Sequence, residues 1–404
     1  MRILWLITRY WPVVGGAEIH TRRIIHEMVA LGHTSAVITH WDTNRTDWLR
    51  GTTVTAPGRV RRYQDDAGIP VVRLGYSLPS RLRSALPAMT YYLRVAQSAS
   101  SLADRLEASI ERECGKDWDI VHAVRVGREP LYLAGYRYAR RLGVPFVFTP
   151  LHHPRWVGKR YETYLDLYRK ADALIALTNY ERSLYADLGV DPGRVAVTGI
   201  GPILPESADG TRFRDAHQIR GPLILFLGQK YDYKGYRHLL EATERVWKQH
   251  PNATFAFLGP RTPASRSAFS RVHDPRILEL DAVDPQTKGD ALAACDIFCL
   301  PSEQESFAGV YTEAWSYGKP VIGCAIPAVK EVIGDGVDGV IVPPDDSAAL
   351  ASALLRLLGD EALRARLGAA GQAKVAQRYN WPTIAATIEG AYSMALASDR
   401  SARG

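Results

Sequence analysis

Short, unbroken apolar runs alternating with helix-patterned stretches limit what this chain can fold into more than any other feature. ILWLIT (3–8), SAVITH (35–40), DIVHAV (119–124), VPFVFTP (144–150) and ADALIALT (171–178) recur through the first half. LILFLG (223–228), TFAFLG (254–259), ILELDA (277–282), DIFCLP (296–301), PVIGC (320–324) and GVIVPP (339–344) recur through the second. A strand that is apolar along its whole length is covered on both faces, as in a parallel sheet flanked by helices. Between the first two runs, Ile24, Ile25, Met28, Val29 and Leu31 fall at helical spacing, and Gly32 stands where a left-handed cap would end the helix. Repeated, this β-α-β unit predicts an α/β chain of doubly wound, Rossmann-like parallel sheets, which take ligands at the C-terminal ends of their strands.

At 404 residues the chain exceeds what one core usually serves. Two domains are expected, 1–200 and 205–380, with the boundary in the Gly- and Pro-rich stretch GIGPILPESADGTRFRDAHQIRGP (199–222). An amphipathic stretch over 381–397 follows and is expected to pack back on the first domain; the closing SDRSARG is expected to lack structure. The apolar run at the N-terminus stops at Arg9 and has no small-residue cleavage site, so it reads as a first strand, not a secretion signal. No segment approaches the roughly 20 apolar residues of a spanning helix. Cys114, Cys295, Cys299 and Cys324 are too few and scattered for a disulfide framework, which favours a cytoplasmic location, with peripheral contact at a membrane left open.

The net charge of +7 is uneven: residues 1–200 carry 28 Lys and Arg against 19 Asp and Glu, and residues 201–404 carry 22 against 24. The basic half suits an anionic partner, whether a phosphorylated acceptor, lipid headgroups or nucleic acid; singly solvated arginines would give the same count.

Three stretches hold candidate chemistry. VVGGAEIH (13–20) places Gly15 and Gly16 at a strand-to-helix turn, where backbone amides can approach a phosphate, although the same pair serves any tight turn. LFLGQKYDYKGYRHLLEA (225–242) closes a strand at Gly228 and sets Lys230 and Lys234 in the following loop, cations suited to a diphosphate or to solvent. SEQESFAGVYTEAW (302–315) carries Glu305 and Glu313. Were all eight steps helical they would lie ~12 Å apart, too far to share a proton. That separation suits two hydroxyl-gripping contacts with an anion at the helix start between them.

Taken in order, Gly15-Gly16, the Gly228/Lys234-Gly235 loop and Glu305-x7-Glu313 followed by GKPVI (318–322) closely resemble the family 4 glycosyltransferases. The resemblance covers nearly the whole chain. It implies a GT-B fold, with two Rossmann-like domains facing a cleft, and a retaining, metal-independent transfer of a hexose from a UDP- or GDP-linked donor, with no cofactor. It further implies that Glu305 grips the sugar's hydroxyls and Glu313 the ribose diol. Lys234 pairs with the diphosphate, and Ser306, Phe307, Ala308 and Gly309 line the phosphates, the last three through backbone amides. Gly15, Gly16, Gly228, Gln229 and Lys230 complete the implied donor contacts. Two positions depart from the family pattern: Gln229 stands where arginine is usual, and Ala308 where glycine is usual. The family sets a histidine beside the anomeric carbon, and FTPLHHPRW offers His152 and His153 for it.

The acceptor is unidentified. An anionic or lipid-linked molecule is expected against the basic first domain, at GRVRRY, RVGRE (125–129) or the segment 81–93, whose Leu82, Leu86, Met89 and Tyr92 form a face fit for a core or a membrane. Nucleic acid is not expected, and oligomeric state is not legible. DWD (117–119) resembles a metal-holding Asp-x-Asp but precedes a strand, at the end away from ligands, so Asp119 reads as a strand-entry residue. The alternatives are a nucleotide-sugar 2-epimerase of the same fold and a non-catalytic protein binding nucleic acid or an anionic surface.

Overall fold

Every one of those apolar runs is a strand. In a computed structural model, residues 1–13, 15–43, 57–124, 130–152, 158 and 161–403 are described, with side chains through residue 398. The chain divides into two units, Met1–Thr198 with Trp381–Gly404, and Gly199–Asn380.

The first unit holds an eight-stranded sheet: β1 (Arg2–Leu6), β2 (Thr34–Thr39), β3 (Arg61–Gln64), β4 (Pro70–Arg73), β5 (Ile120–Val124), β6 (Phe146–Thr149), β7 (Ala173–Ala176) and β8 (Val195–Val197). Their order is β3-β4-β2-β1-β5-β6-β7-β8, parallel except for the antiparallel β3–β4 edge. The second unit holds a six-stranded sheet of β9 (Leu223–Leu227), β10 (Thr254–Leu258), β11 (Ile277–Leu280), β12 (Ile297–Leu300), β13 (Val321–Cys324) and β14 (Gly339–Val342), in the order β11-β10-β9-β12-β13-β14. Chain direction across each sheet reverses at one place, between β1 and β5 in the first and between β9 and β12 in the second. Loops diverge there and leave a crevice at the strand ends.

The first helix, Gly16–Ala30, ends as the sequence predicts, with Gly32 at φ +87°. The last helix runs Trp381–Arg403, so the closing residues expected to lack structure continue it. It packs in the first unit: Ile384, Ile388, Ala391, Tyr392 and Ala395 are buried, each large aliphatic contributing about 1.5–3 kcal/mol. The Tyr392 hydroxyl and His122 Nδ1 are 2.6 Å apart, and His122 Nε2 lies 2.7 Å from Thr149 Oγ1. Burial pushes His122 down to about 3, so the ring is neutral and one nitrogen donates while the other accepts.

Two expectations about charge resolve here. Asp119 accepts from the Arg2 amide at 2.7 Å and returns its own N–H to Arg2 O at 2.9 Å, which ties together the entries of β1 and β5. Many of the first unit's arginines are engaged by its own carboxylates: Arg61 and Arg73 hold Asp42 at 2.7 and 3.0 Å, and Arg62 holds Glu113 at 2.6 Å. GRVRRY is therefore largely an ion-paired edge strand. All four cysteines are free, three of them buried. Among the described residues, no helix is long and apolar enough to cross a membrane.

Candidate active site

The second sheet's switch point places two of the predicted residues against each other. β9 ends at Leu227, and the loop after it turns through a single 3-10 turn, Asp232–Lys234, into the helix Tyr236–Trp247. β12, its neighbour, ends at Leu300 and continues through Pro301 to Glu305. Gly235 joins the two loops: its φ is +77°, and a Cβ there would lie 2.2 Å from Pro301 O. Only glycine permits that approach. The Glu303 amide donates to Tyr233 O at 2.8 Å. Held this way, Lys234 Nζ donates to Glu305 Oε1 at 2.5 Å, in a pair mostly shielded from solvent.

Lys230 behaves otherwise. It is fully buried, and its ammonium donates to Gly259 O at 2.6 Å, Leu280 O at 2.5 Å and Glu279 at 2.6 Å. An ammonium has three protons, so none is left for a phosphate. The expectation that Lys230 meets the donor's diphosphate is corrected: it fastens the ends of β10 and β11. Gln229, at the arginine's position, is exposed. Gly228 donates its amide to Leu258 O at 2.9 Å, one step from the sheet.

Ser306 and the buried Phe307 lead to Ala308, which has φ +63°. Alanine, standing where the family pattern has glycine, is thus held in the left-handed conformation, which costs a side chain about 1–2 kcal/mol. Phe307 packs edge-on against Tyr379 at 5.1 Å between ring centroids. Gly309 caps the helix Val310–Ser316, which is only seven residues long, so Glu305 lies outside it and the eight steps to Glu313 are not all helical.

Glu313 is buried, and Lys288 Nζ donates to its Oε1 at 2.8 Å and to Ile203 O at 2.8 Å. Its Oε2, also buried, accepts no well-formed hydrogen bond from any described residue, and the Ile203 amide approaches the carboxylate closely enough to lower its pKa. Burial raises the carboxyl above its ordinary range, and the Lys288 ammonium opposes that rise. Lys288 is a partner the sequence reading missed. It stands on the helix Pro285–Ala294, 25 positions from Glu313 with no motif around it.

In the first unit, Gly15 caps the first helix, and a Cβ there would lie 2.3 Å from Glu18 Oε2; Gly16 has open space. The carboxylate at this turn is therefore the chain's own, and Arg9 Nε donates to Glu18 Oε1 at 2.8 Å. His152 turns inward. It is buried, with Nδ1 3.0 Å from the Tyr168 hydroxyl and its ring against Tyr168 and Tyr185. Of the two histidines the sequence offers for the sugar, His152 is the one packed among tyrosines in the core. His153 and RVGRE lie outside the described residues. Beneath His152, Glu181 accepts the amides of His152 and Leu177, each at 2.6 Å, and burial pushes its carboxyl up to about 6. Nothing in the sequence marked Glu181.

Two groups among the described residues bring metal-ligating atoms together: His26 with Asp65 and Asp66, and His238 with Glu303 and Asp345. Neither includes Glu305 or Glu313.

Residues 15–201 match the family described as "Glycosyl transferase 4-like domain", and residues 221–360 that described as "Glycosyl transferases group 1". The D-inositol 3-phosphate glycosyltransferase of Xylanimonas cellulosilytica is 32% identical over 240 residues, 56% of this chain and 57% of that protein. Over relatives matched in this way the chain spans about half of their length. The protein of the same name from Frankia alni is 28% identical and aligned over 95% of each chain. Among solved structures, Anabaena HepE in complex with UDP-glucose has a TM-score of 0.73 at 18% identity, covering 97% of this chain and 99% of that one, a likeness of fold. With both units matched in order, the chain belongs to the family 4 glycosyltransferases, the glycosyl transferases group 1, and has their GT-B fold.

Proposed function

We propose that this protein moves a hexose-type sugar from a UDP- or GDP-linked donor to an acceptor hydroxyl, with retention at the anomeric carbon and without a metal ion. The observation that carries the reading is the pair of lysine-held carboxylates in the second unit, Glu305 on Lys234 and Glu313 on Lys288. A buried carboxylate with an open oxygen is a strong acceptor for a diol, and Glu313 Oε2 is such an oxygen. We assign it the donor ribose, and Glu305 the transferred sugar's hydroxyls.

As the sugar–phosphate bond breaks, its electron pair stays with the diphosphate and positive charge spreads over the sugar's C1 and ring oxygen. Lys234, with one proton engaged by Glu305, has two left for the departing phosphate, where charge develops. The acceptor hydroxyl attacks from the face the phosphate leaves, and its proton passes to a phosphate oxygen. With Lys230 committed to the sheet, a single lysine serves the diphosphate. With His152 in the core, His153 is the histidine assigned to the sugar. The relatives' names support an acceptor bearing phosphate, and the ion-paired arginines of the first unit argue against nucleic acid.

The test is nucleotide release from a panel of UDP- and GDP-sugars with a phosphate-bearing polyol acceptor, with and without chelator, and the product's anomeric configuration by NMR. Retention and indifference to chelator are expected. Inversion would overturn the mechanism, and silence with every donor would overturn the function. Glu305→Gln should lower turnover more than nucleotide affinity, and Glu313→Gln the reverse.

A further inference from the structure

The helix Leu78–Met89 is turned inside out. At about 100° per residue, Leu78, Leu82, Leu86 and Met89 share a stripe roughly 80° wide. Instead of facing the core, they are 68%, 67%, 69% and 82% exposed, and Leu93 just beyond is 85% exposed. The side that faces the protein is small and polar: Ser84 and Ala88 are buried, and Arg105 donates to Ser84 Oγ at 2.6 Å. Tyr91, fully buried with its hydroxyl 2.6 Å from that of Tyr164, fixes the segment's end while neighbouring Tyr92 points outward. The orientation is thus set by contacts on both sides, and the apolar stripe has no cover among the described residues.

Charge says what would cover it. From the residue after Asp66 to the one before Asp104 the chain has no carboxylate and four arginines, of which Arg73 is held by Asp42 while Arg81, Arg83 and Arg94 stand on or just beyond the helix. On the helical wheel Arg81 and Arg83 flank the stripe, each about 100° from its centre, placed to reach headgroups while the leucines enter the acyl boundary. A water-facing segment has no need of five exposed large apolar side chains, and every charge that Leu78–Leu93 itself carries is an arginine, the complement of an anionic surface, with Glu162 and Asp166 approaching at its Leu93 end. We infer that Leu78–Leu93 is a docking surface for an anionic phospholipid bilayer, lying in the interface without crossing it. It stands independently of the donor-site reading.

The test is co-sedimentation of the whole protein with phosphatidylcholine vesicles, with and without phosphatidylglycerol. Wild type should bind the anionic vesicles, less so at high salt, and the pair Leu82→Glu with Leu86→Glu should weaken binding at least about tenfold. Because both leucines are exposed, the variant's melting temperature and its affinity for UDP and GDP should stay at wild-type values; that affinity also reports on the donor site separately. Absence of wild-type binding, or equal binding by the variant, overturns the inference. A dimer of the wild type that the double variant dissolves, without vesicle binding, assigns the stripe to a second copy and overturns it too.

Discussion

Lys288→Met should cost the second unit much of its stability, in a way that depends on pH. Lys288 Nζ and Glu313 Oε1 are 2.8 Å apart, with the carboxylate side chain 9% and the lysine side chain 21% exposed. At an effective dielectric near 20, two unit charges at that separation attract by about 6 kcal/mol before desolvation is counted. Removing one partner of a buried pair typically costs 3–5 kcal/mol. The lysine's partial exposure puts this case at the lower end, about 3 kcal/mol. For a unit of this size that is a fall in melting temperature of roughly 6–12 °C.

The pH dependence separates charge from packing. Burial already holds Glu313 above the ordinary carboxylate range, and Lys288 is the largest cause opposing it. Without Lys288 the folded pKa rises further, while the unfolded one stays put. A carboxyl raised on folding contributes stability that is complete below its unfolded pKa and is lost as pH climbs through the folded one. The variant's deficit should therefore be largest near pH 8 and shrink toward about pH 5. Paired thermal melts of wild type and variant at those two values decide it. A deficit equal at both would refute the charge argument and leave lost packing. A second check is the pair Lys288→Met with Glu313→Leu, which leaves no uncompensated charge and should recover most of the stability while losing nucleotide affinity.

Ala308→Gly should raise the melting temperature slightly, because the left-handed strain of about 1–2 kcal/mol exceeds glycine's extra unfolded entropy of roughly 0.5–1; Ala308→Val should lower it. Gly235→Ala should lose ~3 kcal/mol of stability, its Cβ colliding with Pro301 O, and should weaken nucleotide binding as Lys234 moves, measured by calorimetry with UDP and GDP. Gln229→Arg should tighten nucleotide binding about fivefold, near 1 kcal/mol for a cation added at a half-solvated phosphate; a neutral outcome would place the diphosphate elsewhere.

The doubly wound fold was legible because a strand covered on both faces writes itself as an unbroken apolar run. The strands that escaped are those where this rule lapses. β3 is RRYQ, an exposed antiparallel edge whose outward residues are ion-paired arginines. β4 has only two apolar residues, Val71 and Val72, and β8 is three residues long. Edge position and shortness each remove the pattern that identifies a central strand.

The site was half legible, for a different reason. A loop sequence shows which side chains can carry charge, not which acceptors the fold brings to them. Lys230 and Lys234 are four residues apart in one loop, yet the ends of β10 and β11 offer Lys230 two carbonyls and the Glu279 carboxylate, which take all its protons, whereas the loop after β12 delivers a single carboxylate to Lys234. Lys288 and Glu181 went unremarked because Glu313, on another helix, and the His152 amide, after another strand, are distant from them in sequence. The helix Leu78–Met89 shows the same limit in apolar form. Its periodicity fixed which residues share a face, and only its neighbours, Arg105 on Ser84 and Tyr164 on Tyr91, fixed which way that face turns. Local pattern therefore sets the elements and their faces, and strand order sets which charges end up free to act. In this chain Lys234 stands beside the switch point, where two neighbouring strands diverge, and its ammonium meets Glu305, whereas that of Lys230 is taken up at the ends of β10 and β11.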